Sequence, residues 1–426
     1  MPQDTTARSK ASKPSPGDLL EARVAQVWFW EGCFVRRAID LQHHFDPDPL
    51  LVTDLDLLAI SVDATLGMTR TIGEAKSGKS KNTPKPLDRV IWLRGLMEVT
   101  DAVGAELTSE LVPSVRVRQL AAGLGVQAQS VDDLARREKT LRIEEVSDSG
   151  AFGPSSLALV ESVRIAANKE PDLKRAFWFL RSEVWFLDPF ASLKRTLTVI
   201  RALSEKWTPK ANDAHEFAVR WLLCEAVSVA TLNLVAISGF AVRLGGTELE
   251  KLIESRLAEG SIALPNMRAL SRSIDEYIAG LLRQLKAPDT AIVQALGAFE
   301  PTPPDYSSSV VELARRLSAG APHSRHLPRV VDLAIFERMV RQREPSAILV
   351  NRLAVPDTDR VVRAGRLIAS FLRGQAALPE AFSEAIGQPL GSEMLGEETD
   401  SAESTPKAED SGQLRLADND SSSSKG

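Results

Sequence analysis

The chain has 426 residues, 43% of them hydrophobic and 26% charged, with a formal net charge of -5. That composition excludes collagen-like, wholly disordered and polytopic membrane classes, and the acidic balance excludes a uniformly basic nucleic-acid coat, though not a local basic patch. Two cysteines and five histidines leave too little for a disulfide framework or a Cys/His zinc site, and they point to a reducing, cytoplasmic setting.

Residues 1–17 open with MPQDTTARSKASKPSP, polar and proline-containing with no apolar run, so they read as a disordered leader and not a secretory signal. From Leu19 to Trp30, Leu20, Val24, Val27 and Trp28 fall on one side of an amphipathic helix that Glu31-Gly32 ends. FVRRAIDLQ then reads as a strand. His43-His44 with Asp46 and Asp48 lacks the ligand spacing of a zinc site and reads as plain loop. LVTDLDLLAISV is a second strand, Asp63–Gly67 a turn, and MTRTIGEAKS a third strand. A helix follows over Leu87–Val103, then a strand at AELTSELV. Ser114 caps a short helix, VRVRQLAAGL, that stops at Gly125. VQAQSV is a further strand and DDLARRE a helix.

The remainder is helical in pattern. Leu157–Ala167, Asp172–Trp185, Phe190–Leu203, His215–Val242, Thr247–Leu257 and Leu270–Leu285 carry apolar residues at three- and four-residue spacing. PTPPDY breaks the run, and Ser309–Leu317, Arg329–Arg341 and Asp357–Leu372 resume it. Trp221 to Val242 is long enough to span a bilayer, but Glu225 and Asn233 interrupt it, so it reads as a buried central helix and no membrane partner is expected. Trp178, Trp185, Trp207 and Trp221, with Phe177, Phe179, Phe186 and Phe190, could stack bases, but their helical spacing assigns them to core and helix–helix contacts. The expected organisation is an α/β domain over 18–147, a helical accessory domain over 148–390, and a disordered acidic tail over 391–426, rich in Ser, Glu and Asp.

Alternation along the strands puts Asp54 and Asp56 on one face with Leu58 and Ile60, and Glu74 and Lys76 together on the next strand. If those strands pair as a hairpin, Asp56, Glu74 and Lys76 converge at one edge. Two carboxylates there make a hard, oxygen-rich pocket for Mg²⁺ (or Mn²⁺), to which the Ala75 carbonyl could add a ligand. Lys76 beside the ion can orient or activate water and offset charge on a phosphate, which suits phosphodiester hydrolysis. Asp54 reads as a strand-edge residue. Lys79, Lys81, Lys85, Arg89 and Arg94 form a basic run beside this edge, equally suited to a phosphate backbone or to a solvated loop.

These residues and the order of elements resemble the PD-(D/E)xK nuclease superfamily, specifically restriction-endonuclease-like domains of the Mrr type. The matching residues are Glu21 in the first helix, Asp56 in DLDLLAI, Glu74 and Lys76 in GEAK, and the EGCFVRR turn into the first strand. The resemblance covers residues 18–147 and implies a restriction-endonuclease-like fold, with a central mixed sheet flanked by helices. It also implies Mg²⁺-dependent cleavage of DNA, or less often RNA, with Asp56 and Glu74 on the metal and Glu21 in support. The helical half would serve substrate choice, oligomerisation or contact with a protein partner.

Two other readings use the same residues. In one, the fold has lost catalysis and acts as an interaction protein through its helical half. Alternatively, GEAKSGKS fits the P-loop pattern G-x-x-x-x-G-K-[ST], with Lys79 and Ser80 on phosphates and metal. A P-loop requires a buried apolar strand before it and a helix starting at the Lys-Ser. MTRTI alternates polar and apolar residues, and Pro84 and Pro86 follow too soon for a helix to run on from Ser80.

Overall fold

The computed structural model describes residues 14–44, 49–78, 83–146, 148–209, 213–259, 264–296 and 302–391. The tail beyond 391 and residues 1–13 of the leader lie outside the described residues.

Helix α1 (Pro16–Trp30) starts at Ser15, whose hydroxyl accepts from the Asp18 N–H while Asp18 accepts from the Ser15 N–H, a reciprocal cap ahead of a proline in the first turn. Strands β1 (Phe34–His44), β2 (Pro49–Val62) and β3 (Met68–Lys76) follow as antiparallel neighbours. Helix α2 (Pro86–Thr100) crosses to β4 (Gly104–Ser109), and α3 (Val115–Gly123) crosses to β5 (Val126–Ser130), each new strand parallel to the last. The result is a five-stranded mixed sheet in the order β1-β2-β3-β4-β5. Helix α4 (Val131–Thr140) closes this half with a second reciprocal cap between Ser130 and Asp133. The histidine pair is not loop as its prolines suggested: His43 and His44 extend β1 and pair with Leu50 and Pro49.

The helical half runs α5 (Ser156–Ala167), α6 (Pro171–Arg181), α7 (Pro189–Lys206), α8 (Ala214–Ala241), α9 (Gly246–Ala258), α10 (Leu264–Gln284) and α11 (Asp289–Ala295). It continues with α12 (Ser307–Ala319), α13 (Ala321–Ser324), α14 (Leu327–Ile335), α15 (Ala347–Arg352), α16 (Thr358–Ala376) and α17 (Glu380–Gly387). The expected helix Asp172–Trp185 ends at Arg181, and Trp185 sits in a separate 3-10 turn. Likewise Arg329–Arg341 divides into α14 and a wider π turn, Phe336–Val340.

Helix α8 is the axis of this half, with α5, α7, α12 and α14 packed against it. It is long and apolar enough to cross a membrane, but its most apolar 18-residue window is 94% buried inside the protein, as in a core helix. Most of its polar side chains find partners within the core, although Trp221 Nε1 and Glu225 Oε2 are buried with no hydrogen-bond partner among the described residues. Ser228, Thr231 and Ser238 donate to carbonyls one turn back at 3.0, 2.9 and 2.6 Å, and Asn233 donates to Ser192 Oγ at 2.7 Å.

The sheet and the helices share one buried core. Phe29 of α1 stacks on Phe152 at 4.0 Å between ring centroids. Arg36 of β1 forms a buried bidentate pair with Asp332 of α14, at 2.6 and 3.2 Å. Arg181 of α6 donates to the Arg37 carbonyl at 2.8 Å. The β2–β3 turn lies so close to α8 that a Cβ on Gly239 would come within 2.8 Å of the Leu66 carbonyl oxygen, so that contact depends on glycine.

Candidate functional site

The site forms where regular strand pairing stops. β2 and β3 pair from Val62 and Met68 up to Leu57 and Gly73, and Leu58 lies opposite Ile72. Asp56 and Glu74, one alternation further, therefore project on the same face. The ladder bond that Asp56 would make with its backbone is replaced by its side chain: Oδ2 accepts the Ala75 N–H at 2.8 Å. On the other side of β2, Arg37 pairs with Leu57 and Ile39 with Leu55, but Ala38, opposite Asp56, forms no bridge and has φ 52°. A left-handed alanine inside a strand is strained. The backbone thus opens on both sides of Asp56.

The residues expected at this edge meet there. Lys76 Nζ lies 2.8 Å from Glu74 Oε1 and 3.2 Å from Asp56 Oδ2. Asp56 and Glu74 are both buried, at 7% and 4% exposure. Burial, and then the neighbouring Glu74 charge, push the Asp56 carboxyl above its ordinary range. Burial draws the Lys76 ammonium down, but the two carboxylates outweigh it and hold Lys76 above the usual lysine value. Lys76 is therefore charged at neutral pH.

Glu21 of α1 adds a third carboxyl. Burial raises its pKa to about 8 and the Asp56 charge adds to the shift, while Arg37 opposes it. It pairs with no cation among the described residues. It is thus neutral at pH 7, an acid kept protonated by its surroundings.

Arg89 takes a different place from the one its basic run suggested. It reaches from α2 to the Glu74 Oε1 atom, and its guanidinium lies 5.4 Å from the Trp92 ring centroid. Its guanidinium is therefore paired inside the site. The pairing joins residues 15 apart across a crossover, and no local signal announces it. Lys85 is exposed at the start of α2, while Lys79 and Lys81 lie outside the described residues. Arg94 pairs along its own helix with Glu98, and Arg118 pairs with Asp133 at 2.8 Å.

For a divalent cation the donor set is hard and oxygen-rich. Asp56 Oδ1 and Glu74 Oε2 accept no hydrogen bond from the described residues, and the Ala75 carbonyl lies between Glu74 and Lys76 in sequence. Among the described residues no cluster of three or more His, Cys, Asp or Glu side chains is gathered as a metal site. Two carboxylate oxygens of this kind are donors that an ion such as Mg²⁺ accepts while keeping much of its water.

The residues of the P-loop pattern do not form a loop at its beginning. Gly73 to Lys76 are strand, with Gly73 paired to both β2 and β4, and the next helix starts at Pro86. Ser80 lies outside the described residues.

Trp178 departs from its expected role. Trp185 and Trp221 are core residues, but Trp178 is 37% exposed. It lines a cavity of about 330 Å³ together with Glu21, Arg37 and Ala38. Helical spacing placed it on an apolar face without revealing that the face meets a cavity. Comparison of the chain with protein-family models, with curated proteins and with solved structures gives no match.

Proposed function

We propose that the chain is a Mg²⁺-dependent (or Mn²⁺-dependent) nuclease that hydrolyses phosphodiester bonds of nucleic acid, with DNA as its first substrate class. One observation carries the reading: two buried carboxylates and one ammonium, from adjacent strands, meet within 3.2 Å at the point where the sheet opens. Asp56, Glu74 and the Ala75 carbonyl would hold the ion. When bound, the ion would polarise a phosphoryl oxygen and lower the pKa of its water. Lys76, being protonated, serves as a fixed positive charge that orients water and stabilises charge developing on the phosphate. Arg89 holds Glu74 in place from α2. Glu21, protonated, offers a hydrogen-bond donor beside Asp56. The reading places the protein in the cytoplasm, where the unpaired Cys33 and Cys224 stay reduced.

The test is cleavage of DNA and RNA by the purified full chain in Mg²⁺ or Mn²⁺. Lys76→Ala should lower the rate about 100-fold or more while the thermal midpoint stays close to that of wild type. Asp56→Asn should abolish the Mg²⁺-dependent rise in thermal midpoint, a readout that needs no turnover. Equal cleavage by wild type and Lys76→Ala would end the proposal.

A second reading, a catalytically inactive interaction protein on the same scaffold, draws on the charge balance of the site. Lys76 and Arg89 already neutralise Asp56 and Glu74. It expects no metal-stimulated cleavage of any single- or double-stranded nucleic acid. The P-loop reading is disfavoured by the strand through Lys76 and the late start of α2, and it alone expects nucleotide binding that Lys79→Ala removes.

A further inference from the structure

The cavity beside Glu21 is built by both halves of the protein. The start of α1 and the strained part of β1 form one wall, and α5 and α6 form the other. Its volume of about 330 Å³ lies within the range of small-molecule sites, and it opens to solvent. Its chemistry is mixed in a specific way. Trp178 presents an indole that is 37% exposed, backed by buried Phe177 edge-on at 5.5 Å. Asp40 lies directly opposite Asp54 on β2, two like charges face to face, and the Arg181 charge only partly offsets the pressure that burial and Asp54 put on the Asp40 carboxylate. Arg37 is buried, and its one side-chain hydrogen bond to the described residues goes to Ser156 Oγ at 3.2 Å. Arg181, 9% exposed, binds the Arg37 carbonyl and Glu225 but leaves its Nε without a partner. An aromatic ring beside an acidic acceptor and a guanidinium donor, around one open cavity, suits a flat heterocycle with a polar edge.

We propose that this cavity receives one unstacked nucleobase of the strand whose phosphate lies at Asp56 and Lys76, with Trp178 stacking on it, Asp40 accepting from an exocyclic amino group and Arg37 donating to a ring or carbonyl acceptor. The inference rests on the nuclease reading for its location beside the cleavage site. It gives the helical half a role in substrate choice, because α5 and α6 supply the stacking ring and half the slot. It also orders the bases: cytosine, adenine and guanine carry the amino group that Asp40 accepts from, and thymine does not.

The experiment measures binding without cleavage. Full-length Lys76→Ala protein is titrated by fluorescence anisotropy, without divalent ions, against labelled DNA duplexes. In these duplexes a single base pair is mismatched at successive positions. A base that must leave the stack does so more easily when unpaired, so at one position the mismatch should tighten binding about tenfold. At that position an amino-bearing base should bind tighter than thymine. Adding Trp178→Ala should remove the positional effect, Trp178→Phe should retain most of it, and Asp40→Asn should level the amino-base preference. Circular dichroism checks that each variant is folded. A mismatch response that is flat along the duplex, or that survives in folded Trp178→Ala, overturns the inference whether or not the wild type cleaves. The two readings separate cleanly. Cleavage by the wild type without a positional response removes the base slot and keeps the nuclease. A positional response without cleavage does the reverse.

Discussion

Glu21 is the residue whose environment is most at odds with its chemistry, and that makes it measurable. Its carboxyl has a pKa of about 8 in the folded chain against 4.5 for the ordinary group, because burial and then Asp56 penalise its charge. Between those values the folded chain holds a proton that the unfolded chain has released. Stability therefore falls as pH rises through this window, by about 1.4 kcal/mol per pH unit for one proton, and the loss is complete above pH 8. Glu21→Gln carries no such proton. The variant should show a flatter dependence of its urea midpoint on pH and should be the more stable protein at pH 8. Parallel pH profiles for the two proteins would mean that Glu21 ionises normally. Lys76 is the converse case: its carboxylate neighbours hold the proton on, which is why its role is that of a fixed charge and not of a base.

At the scale of elements, β3 is the strand on which the site and the core meet, and Gly73 is where they compete for space. A Cβ at Gly73 would lie 2.5 Å from Trp28 Cη2 of α1 and 3.0 Å from Leu57 Cβ. Trp28 cannot swing away freely, because its Nε1 donates to buried Glu106 at 3.1 Å. Gly73→Ala should therefore cost about 1–3 kcal/mol through overpacking. Gly95 of α2 is the matched control: nothing lies within 4 Å of its would-be Cβ, and Gly95→Ala should stabilise by about 0.5–1 kcal/mol through helix propensity. Denaturant midpoints of opposite sign check the pair, and a stabilising Gly73→Ala would mean that α1 does not press on this strand. The same strand marks how far the sequence could be read. The succession of helices and strands from Leu19 to Glu138 was legible because local signals set it: the cap at Ser114, the stops near Gly32 and Gly125, and the period of two in β2 and β3. Alternation also brought Asp56, Glu74 and Lys76 together. Less legible were α11, α13, α15 and α17, which are eight residues or fewer, too short for an apolar period to establish itself. Out of reach were the left-handed turn at Ala38, the capture of Arg89 by Glu74 and the exposure of Trp178. Each depends on which distant element arrives alongside, and no window of the sequence contains that partner.

For the molecule as a whole, the question is whether the sheet and the helices fold as one unit, and the Arg36–Asp332 pair answers it most directly. It joins β1 to α14 across 296 residues of sequence, with 7% and 0% of the two side chains exposed. The guanidinium also packs over Phe34 at 4.3 Å and lies within 6.0 Å of Trp185 and Phe336, so aromatic rings from both halves enclose it. Losing one partner of such a pair strands the other charge in the core. Asp332→Ala should destabilise the protein by about 3–5 kcal/mol, whereas replacing both members by apolar residues of similar volume should cost far less, because no charge is then left unpaired. The shared core adds a second expectation: the loss should be felt everywhere at once. Amide hydrogen exchange of the Asp332→Ala variant should accelerate in the strands β1 to β4 and in α8 by the same factor, since both open in one cooperative event. Faster exchange in the helices alone, with the strands unchanged, would mean that the sheet half holds its structure without them. The cavity walls contributed by α5 and α6 would then be a docking of two domains and not a single built slot.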